Sequence, residues 1–272
     1  MTKPISNYHK TMETLKNHEL KAKKHYGQNF IIDPSVVVKI ANLADIKGKV
    51  VIEVGPGLGA LTEQLALHAL KVIAFEIDKD CVKILNEAFI DTNVAIIHQD
   101  FLEVNSRDIS NATHLVGNLP YYITTAILFH IIEALPQIEC ITIMVQKEVA
   151  DRFNAKPKTK DYNALSIILQ TLFEIKVLMK VNPKVFMPMP KVESSVLQLR
   201  RKNLIDYSEF FTLVKTGFTQ RRKTLVNNLK SISDIELNLI KLGYTKTVRA
   251  EELSVEQWHK LYEVIYANQS IR

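Results

Sequence analysis

The sequence lacks the features that mark membrane, disulfide-rich and metal-binding proteins. No apolar run approaches the roughly 20 residues that a membrane-spanning helix needs. Cys81 and Cys140 are its only cysteines; two thiols fit reduced, buried side chains better than a disulfide framework and cannot hold a structural zinc ion alone. The eight histidines include no pair at a ligand spacing such as His-x-x-x-His. We therefore expect no membrane segment and no metal.

The N-terminus also lacks the apolar core of a secretory signal peptide, so the sequence predicts a cytoplasmic protein. Hydrophobic residues occupy 47% of the 272 positions and charged residues 24%, which is ordinary for a globular protein. This length allows one large α/β domain and a smaller one.

Basic residues outnumber acidic ones by 35 to 29, a net charge of +6 that alone says little about partners. Their placement is more informative, because four clusters fall on different predicted elements and could follow a phosphate backbone. The clusters are Lys21, Lys23 and Lys24; Lys156, Lys158 and Lys160; Arg200, Arg201 and Lys202; and Arg221, Arg222 and Lys223. Solvated loops are the alternative interpretation of each cluster.

The order of sequence patterns predicts three regions. Residues 1–25 have the polar composition of a flexible, partly disordered basic arm. From residue 49 onwards short apolar runs alternate with amphipathic helical patterns, which favours a mostly parallel sheet covered on both faces. After Asn203 only short amphipathic helices follow. The sequence therefore predicts a Rossmann-like α/β domain over residues 26–203 and a small α-helical domain over residues 204–272.

The segment 117–122, Gly-Asn-Leu-Pro-Tyr-Tyr, follows an apolar stretch that is typical of a strand. An asparagine amide pairs well with the edge of an adenine, and aromatic rings stack on a base drawn out of its helix. The segment therefore predicts a site for a flat heterocycle with an exocyclic amine.

A glycine loop at residues 53–59, Glu-Val-Gly-Pro-Gly-Leu-Gly, follows the first predicted strand and begins the first helix of the sheet domain. Such loops approach a nucleotide-like cofactor closely, and this one also fits the fingerprint of NAD-binding folds. Glu76 after the second strand could bind the ribose hydroxyls of NAD or of S-adenosylmethionine, so it does not discriminate between these cofactors. Asp100 after the third strand, beside Phe101, suits the adenine of S-adenosylmethionine. Helix capping is the alternative for both acids. Together the two segments predict methyl transfer to an adenine.

Several motifs resemble those of the rRNA adenine N6-dimethyltransferases, a family of class I methyltransferases. The matching segments, which span nearly the whole chain, are residues 24–31, 51–61, 118–121, 146–152 and 186–194. Residues 218–225 and 249–253 resemble the bacterial small-subunit branch more than the large-subunit resistance branch. Ala126, Asn163 and Tyr122 depart from the residues common in the family, and none of the three removes a catalytic atom.

The resemblance implies how S-adenosylmethionine is held. Asn29 and the backbone of Ile31 would contact it, Glu76 would take the ribose hydroxyls, and Asp100 the adenine amine. The residues assigned to cofactor binding are Gln28, Asn29, Ile31, Gly55, Gly57, Glu76, Ile77, Asp100, Phe101 and Asn118.

The resemblance also implies the catalytic residues. The Asn118 side-chain oxygen and the Leu119 carbonyl would accept the two N–H groups of the target amine, in the turn that Pro120 kinks. Tyr121 would stack on the flipped adenine, and Phe186 is a candidate for its other face. A hydrophobic plug in a proline-rich turn is the alternative for Phe186.

The implied substrate is 16S rRNA in the small ribosomal subunit or its late assembly precursor, dimethylated at two adjacent adenosines near the 3′ end by a monomer. The residues assigned to RNA contact are Lys23, Lys24, Lys191, Arg221, Arg222 and Lys223. Three alternatives stay open: a large-subunit resistance methyltransferase, a non-catalytic assembly or transcription factor on the same fold, and a nicotinamide-dependent dehydrogenase, which the 117–122 segment disfavours.

Overall fold

The protein is represented by a computed structural model that describes residues 3–23, 26–109, 111–120, 122–202 and 207–266. Its strands are β1 Phe30–Ile31, β2 Val50–Val54, β3 Lys71–Glu76, β4 Val94–His98, β5 His114–Asn118, β6 Cys140–Gln146, β7 Phe173–Val181, β8 Phe186–Met187 and β9 Ser194–Arg201. Its helices are α1 Tyr8–Asn17, α2 Pro34–Leu43, α3 Ala60–His68, α4 Lys79–Ala88, α5 Thr124–Ala134, α6 Lys147–Phe153, α7 Ala164–Leu172, α8 Ser208–Gly217, α9 Leu225–Asn228, α10 Ile235–Lys241 and α11 Val255–Tyr266. None of the helices in these ranges has the length and apolar composition that a membrane crossing requires.

Seven strands form the main sheet in the order β4-β3-β2-β5-β6-β9-β7. The pairs from β4 to β6 are parallel, and β9 pairs antiparallel to β6. Because β2, β5 and β6 are buried, they carry nearly continuous apolar runs, as strands of a covered parallel sheet do. The predicted Rossmann-like architecture is confirmed, and the carboxyl ends of β2, β3 and β5 meet at one edge of the sheet.

The chain divides into two compact units whose boundaries differ from the sequence-based domains. The sheet unit comprises Met1–Lys147 and Lys176–Arg201, and the helical unit comprises Glu148–Ile175 and Lys202–Arg272. The helical unit thus begins well before residue 204. The reason is packing: Tyr162 is fully buried in the same apolar cluster as Trp258, and its hydroxyl donates to the Leu253 carbonyl at 2.9 Å.

The described part of residues 1–25 differs from the flexible, partly disordered arm that the sequence predicts. Asn7 caps α1, its side-chain oxygen accepting from the backbone amides of His9 and Lys10. Ile5 and Leu15 are partly buried and pack on the apolar cluster that contains Phe30 and Ile84. This apolar contact orders a segment whose composition alone suggested disorder.

Asn163 illustrates how a departure from the family residue is accommodated. Its side-chain oxygen accepts from the amides of Leu165 and Ser166, while the Ser166 hydroxyl accepts from the Asn163 amide at 3.2 Å. These reciprocal bonds form a capping box that begins α7. An asparagine here therefore stabilises the helix.

Candidate active site

A cavity of about 400 Å³ lies where β2, β3 and β5 end. It brings together all ten residues that the sequence assigned to cofactor binding, drawn from β1 and the segment before it, the glycine loop, the ends of β3 and β5 and the turns after β3 and β4. These are Gln28, Asn29, Ile31, Gly55, Gly57, Glu76, Ile77, Asp100, Phe101 and Asn118. Leu119 and Pro120 of the predicted catalytic segment line the same cavity.

The glycine loop needs its glycines for backbone conformation and space. Gly57 has a φ of +60°, in the left-handed region, and an added Cβ would lie 3.3 Å from the Phe30 ring. At Gly59, with φ of +90°, a Cβ would lie 2.7 Å from the Phe89 ring. A side chain would therefore be strained by the positive φ at both positions, would press on the Phe30 ring at Gly57 and would force the Phe89 ring to shift at Gly59.

Glu76 holds this loop to the end of β3. Its carboxylate accepts from the amide of Gly57 and from the amide of Asp78, each at 2.9 Å. Burial raises the pKa of Glu76, and the two backbone hydrogen bonds oppose that rise because they favour the charged form. Glu76 is thus an anchored acceptor in the cavity wall, with lone pairs remaining for a ligand's hydroxyl groups.

Glu53, which the sequence analysis used only to recognise the loop, proves to be a cavity residue. It is 1% exposed, and within the described part of the chain its Oε2 atom has no hydrogen-bond partner. Burial raises the pKa of Glu53 to about 8, and the neighbouring charge of Glu76 adds to the rise. The Thr62 hydroxyl beside the carboxyl opposes this rise in pKa. The signal for Glu53 was an acidic residue at the end of a buried strand. A buried carboxyl oxygen that lacks a partner among the described residues suits a ligand that brings a cation or hydrogen-bond donors.

The Asn118 amide has a defined orientation. Its Nδ2 atom donates to the Asn29 carbonyl at 3.1 Å, which leaves Oδ1 as the acceptor at the cavity wall. The Leu119 amide donates to the Met144 carbonyl, whereas no hydrogen bond to the Leu119 carbonyl is found among the described residues. The Pro120 carbonyl already accepts from Ile123 and Thr124. Two acceptors on adjacent residues are therefore available for one amine.

The aromatic residues do not all lie where the sequence placed them. Tyr121 lies outside the described residues, so its stacking role stays a prediction. Phe186 is 2% exposed, pairs with Ile31 across β1 and β8, and does not line the cavity. Because its ring is part of the apolar core, the structure does not support it as a stacking face. Tyr122, one of the three departures from the residues common in the family, is 64% exposed and lines the cavity.

Two basic residues assigned to RNA contact form ion pairs within the protein. Lys23 pairs with Asp78 and Asp80, at 2.6 and 2.8 Å. Arg221 pairs with Glu251 and donates to the carbonyls of Thr159 and Lys160. These contacts occupy two of the three ammonium donors of Lys23 and three of the five guanidinium donors of Arg221. Both side chains therefore have structural roles, and their contact with RNA stays a prediction.

The structure describes three of the other four residues that the sequence assigned to RNA contact. Lys191, Arg222 and Lys223 are exposed, with no ion pair found for any of them in the described ranges. Lys24 lies outside those ranges. The described ranges also contain no group of three or more His, Cys, Asp or Glu side chains that could hold a metal ion.

Solved structures with the same fold are methyltransferases. The chain superposes on a dimethyladenosine transferase from Plasmodium falciparum with a TM-score of 0.75 and 23% identity, covering 88% of this chain and 98% of the other. It superposes on the 23S rRNA methyltransferase ErmE with a TM-score of 0.67 and 30% identity, covering 87% and 99%. The predicted class I methyltransferase fold is confirmed.

Sequence comparison identifies the family of the chain, whereas the superpositions identify its fold. The chain is 40% identical over 289 positions to a ribosomal RNA small subunit methyltransferase A of Oceanobacillus iheyensis, with 98% of each chain covered. A Mycoplasmopsis pulmonis protein of the same name is 40% identical over 250 positions, covering 89% of this chain and 98% of the other. Residues 19–267 match the ribosomal RNA adenine dimethylase family. With this match, the near full-length relatives and the cavity in agreement, the chain belongs to the ribosomal RNA adenine dimethylase family.

Proposed function

We propose that the protein uses S-adenosylmethionine to dimethylate the N6 amines of two adjacent adenosines near the 3′ end of 16S rRNA, in the small ribosomal subunit or its late assembly precursor. The observation that carries this proposal is the Asn118 amide. Its nitrogen donates to the Asn29 carbonyl, and its oxygen, for which no donor is found among the described residues, is an acceptor beside the Leu119 carbonyl. The small-subunit relatives support the choice of RNA.

The cavity fits the cofactor. Glu76 would bind the ribose hydroxyls, and Asp100, which caps a short 3-10 helix at residues 101–103 through one oxygen, would accept from the adenine amine. Glu53 would offset the positive charge of the methionine portion, which would satisfy its unpartnered oxygen. When bound, S-adenosylmethionine supplies an electrophilic methyl group on a sulfonium.

The protein's own task is to prepare the amine, whose lone pair is delocalised into the adenine ring. Acceptors at Asn118 Oδ1 and the Leu119 carbonyl would bind its two N–H groups, draw the nitrogen toward tetrahedral geometry and orient its lone pair. Catalysis is then positioning and electrostatic stabilisation, with no general base required. The methylated nitrogen carries a positive charge and loses one N–H proton to solvent. One N–H then remains, so a second methylation can follow.

RNA docking is assigned to the helical unit. Arg221 joins the 219–224 loop to the loop that carries Lys156, Lys158 and Lys160, all exposed. Two clusters that are distant in sequence thus form one basic surface with Arg222 and Lys223. Phosphate contacts of this kind set register and make affinity sensitive to salt. The expected cytoplasmic monomer belongs to the same proposal.

Methyl transfer should be confined to the small subunit. Purified small and large subunits that lack adenine dimethylation are incubated with labelled S-adenosylmethionine, and the nucleosides are analysed by mass. We expect dimethyladenosine in the small subunit alone. Labelling of the large subunit would move the protein to the resistance branch, and no labelling with cofactor binding intact would favour an assembly factor.

Asn118→Ala should keep the fold and most cofactor affinity but lower kcat by about 100-fold or more, because it removes one of the two acceptors for the target amine. The measurements are the same transfer assay and calorimetric titration with S-adenosylmethionine. Asn111→Ala, at an exposed turn, is the control and should transfer normally. Near-normal transfer by Asn118→Ala would refute the assigned role.

Glu53→Gln should change how stability depends on pH. The folded pKa of Glu53, about 8, lies above its usual value of 4.5, so the folded state keeps a proton that the unfolded chain loses. The free energy of unfolding therefore falls as pH rises from about 5 to 8, by an amount on the order of a few kcal/mol. Glutamine cannot ionise and removes this contribution.

Urea denaturation of the cofactor-free protein at several pH values in that window measures the effect. As pH rises, the free energy of unfolding of the native protein should fall relative to that of Glu53→Gln. Glu103→Gln, at an exposed carboxyl, should follow the native profile. Parallel profiles for Glu53→Gln and native protein would contradict the assignment.

Reversing charge at Arg222 and Lys223 together, as Arg222→Glu with Lys223→Glu, should weaken binding to small subunits and leave cofactor affinity unchanged. The slope of log affinity against log salt should decrease by roughly one unit for each phosphate that the variant no longer neutralises. Filter binding over a salt series measures both effects, with Lys230→Glu on the same unit as control. Unchanged affinity and slope would place docking elsewhere.

A further inference from the structure

Lys23, Gln28 and Asp78 form a hydrogen-bonded cluster, here called the clamp. Lys23 Nζ donates to Asp78 Oδ1 at 2.6 Å and to Asp80 Oδ2 at 2.8 Å. The Gln28 side chain donates to Asp78 Oδ2 and accepts from the Lys23 backbone amide, each at 2.8 Å. The clamp therefore ties the segment before β1 to the beginning of α4.

The clamp is built around one buried charge, the carboxylate of Asp78, whereas the side chains of Lys23 and Asp80 are 29% and 32% exposed. The Asp78 side chain is 3% exposed. Burial alone would raise the pKa of Asp78, but hydrogen bonds from Lys23 and Gln28 hold it below its usual value. The carboxylates of Asp78 and Asp80 in turn raise the pKa of Lys23. Both partners are thus ionised at neutral pH. Removing the lysine would leave a buried carboxylate without its counter-ion, close to the carboxylate of Glu76.

Two short paths lead from the clamp to the reaction site. On one side the Asp78 amide donates to Glu76, whose other oxygen accepts from Gly57 in the glycine loop. On the other side Gln28 adjoins Asn29, whose carbonyl holds the Asn118 amide. One buried carboxylate therefore connects the cofactor loop with the predicted catalytic amide.

We propose that the clamp fixes the Asn118 amide relative to the cofactor loop, which makes Lys23, Gln28 and Asp78 positioning residues for methyl transfer. This inference rests on the proposed function. Gln28 lines the cavity, but both polar ends of its side chain are bonded within the protein, so its contribution is to hold Asn29. Lys23, assigned from sequence to RNA contact, acts through the same segment.

The test compares Lys23→Met, which keeps the apolar stem, with Lys23→Arg, which keeps the charge, and with Lys21→Met, an exposed lysine outside the clamp. Gln28→Met removes the hydrogen bonds of the Gln28 side chain while Asp78 keeps Lys23 as its counter-ion, so it serves if Lys23→Met does not fold. The readouts are kcat and KM for small subunits at saturating cofactor, and hydrogen–deuterium exchange of residues 26–31.

We expect Lys23→Met and Gln28→Met to lower kcat about tenfold or more, with KM for subunits little changed and exchange at residues 26–31 accelerated. Lys23→Arg should restore most of kcat. The double variant, Lys23→Met with Gln28→Met, should have about the same kcat as the worse of the two single variants. If the two changes acted independently, their reductions of kcat would multiply; they should not, because both break the same connection.

Two results would overturn the proposal. Lys23→Met and Gln28→Met could match Lys21→Met in kcat and exchange, or Lys23→Met could raise KM for subunits with kcat kept, which is the signature of an RNA contact. If the native protein methylates neither subunit, the proposed function fails by itself. Exchange at residues 26–31 and the affinity for S-adenosylmethionine then still decide whether the clamp orders the segment.

Discussion

Parallel alignment of β2, β3 and β5 is the constraint on which the site depends. Ile52 pairs with both Ile73 and Leu115, so the three strands end together at one edge of the sheet. Glu76 and Asn118 stand at the ends of β3 and β5, and the glycine loop leaves β2 at the same edge. Backbone hydrogen bonding thus brings together the glycine loop, the Glu76 carboxylate and the Asn118 amide, to which we assign cofactor binding and catalysis, from segments that are far apart in sequence.

The structure keeps three acidic side chains beside this edge, each in a different electrostatic environment. Asp78 is ionised against Lys23, Glu76 is stabilised by backbone amides, and Glu53 is buried with an unpartnered oxygen among the described residues. Because like charges in a low-dielectric site raise one another's pKa, three free carboxylates could not remain ionised together. The differing partners leave Glu53 as the group whose charge depends most on what the cavity contains.

Catalysis and docking are assigned to separate units with separate cores. The sheet unit contains every described residue of the cavity, and the helical unit contains the basic surface around Arg222 and Lys223. Lys23 and Arg221 show that a basic residue in a cluster can have a structural role within the protein. Both carry positive charge beside other basic residues in sequence, yet both are bonded to carboxylates and order a neighbouring segment.

The sequence by itself determined the Rossmann-like sheet and the glycine loop, because hydrophobic periodicity and local motifs depend on neighbours along the chain. The ten cofactor residues that line the cavity followed from the family resemblance. The sequence could not determine that Phe186 is buried, that Tyr122 is exposed, that residues 148–175 join the helical unit, or that Glu53 faces the cavity. It also missed the helix at Tyr8–Asn17, whose apolar partners lie far away in sequence. These outcomes were decided only by the tertiary structure, since burial and the partner of a charge depend on which distant segments pack together.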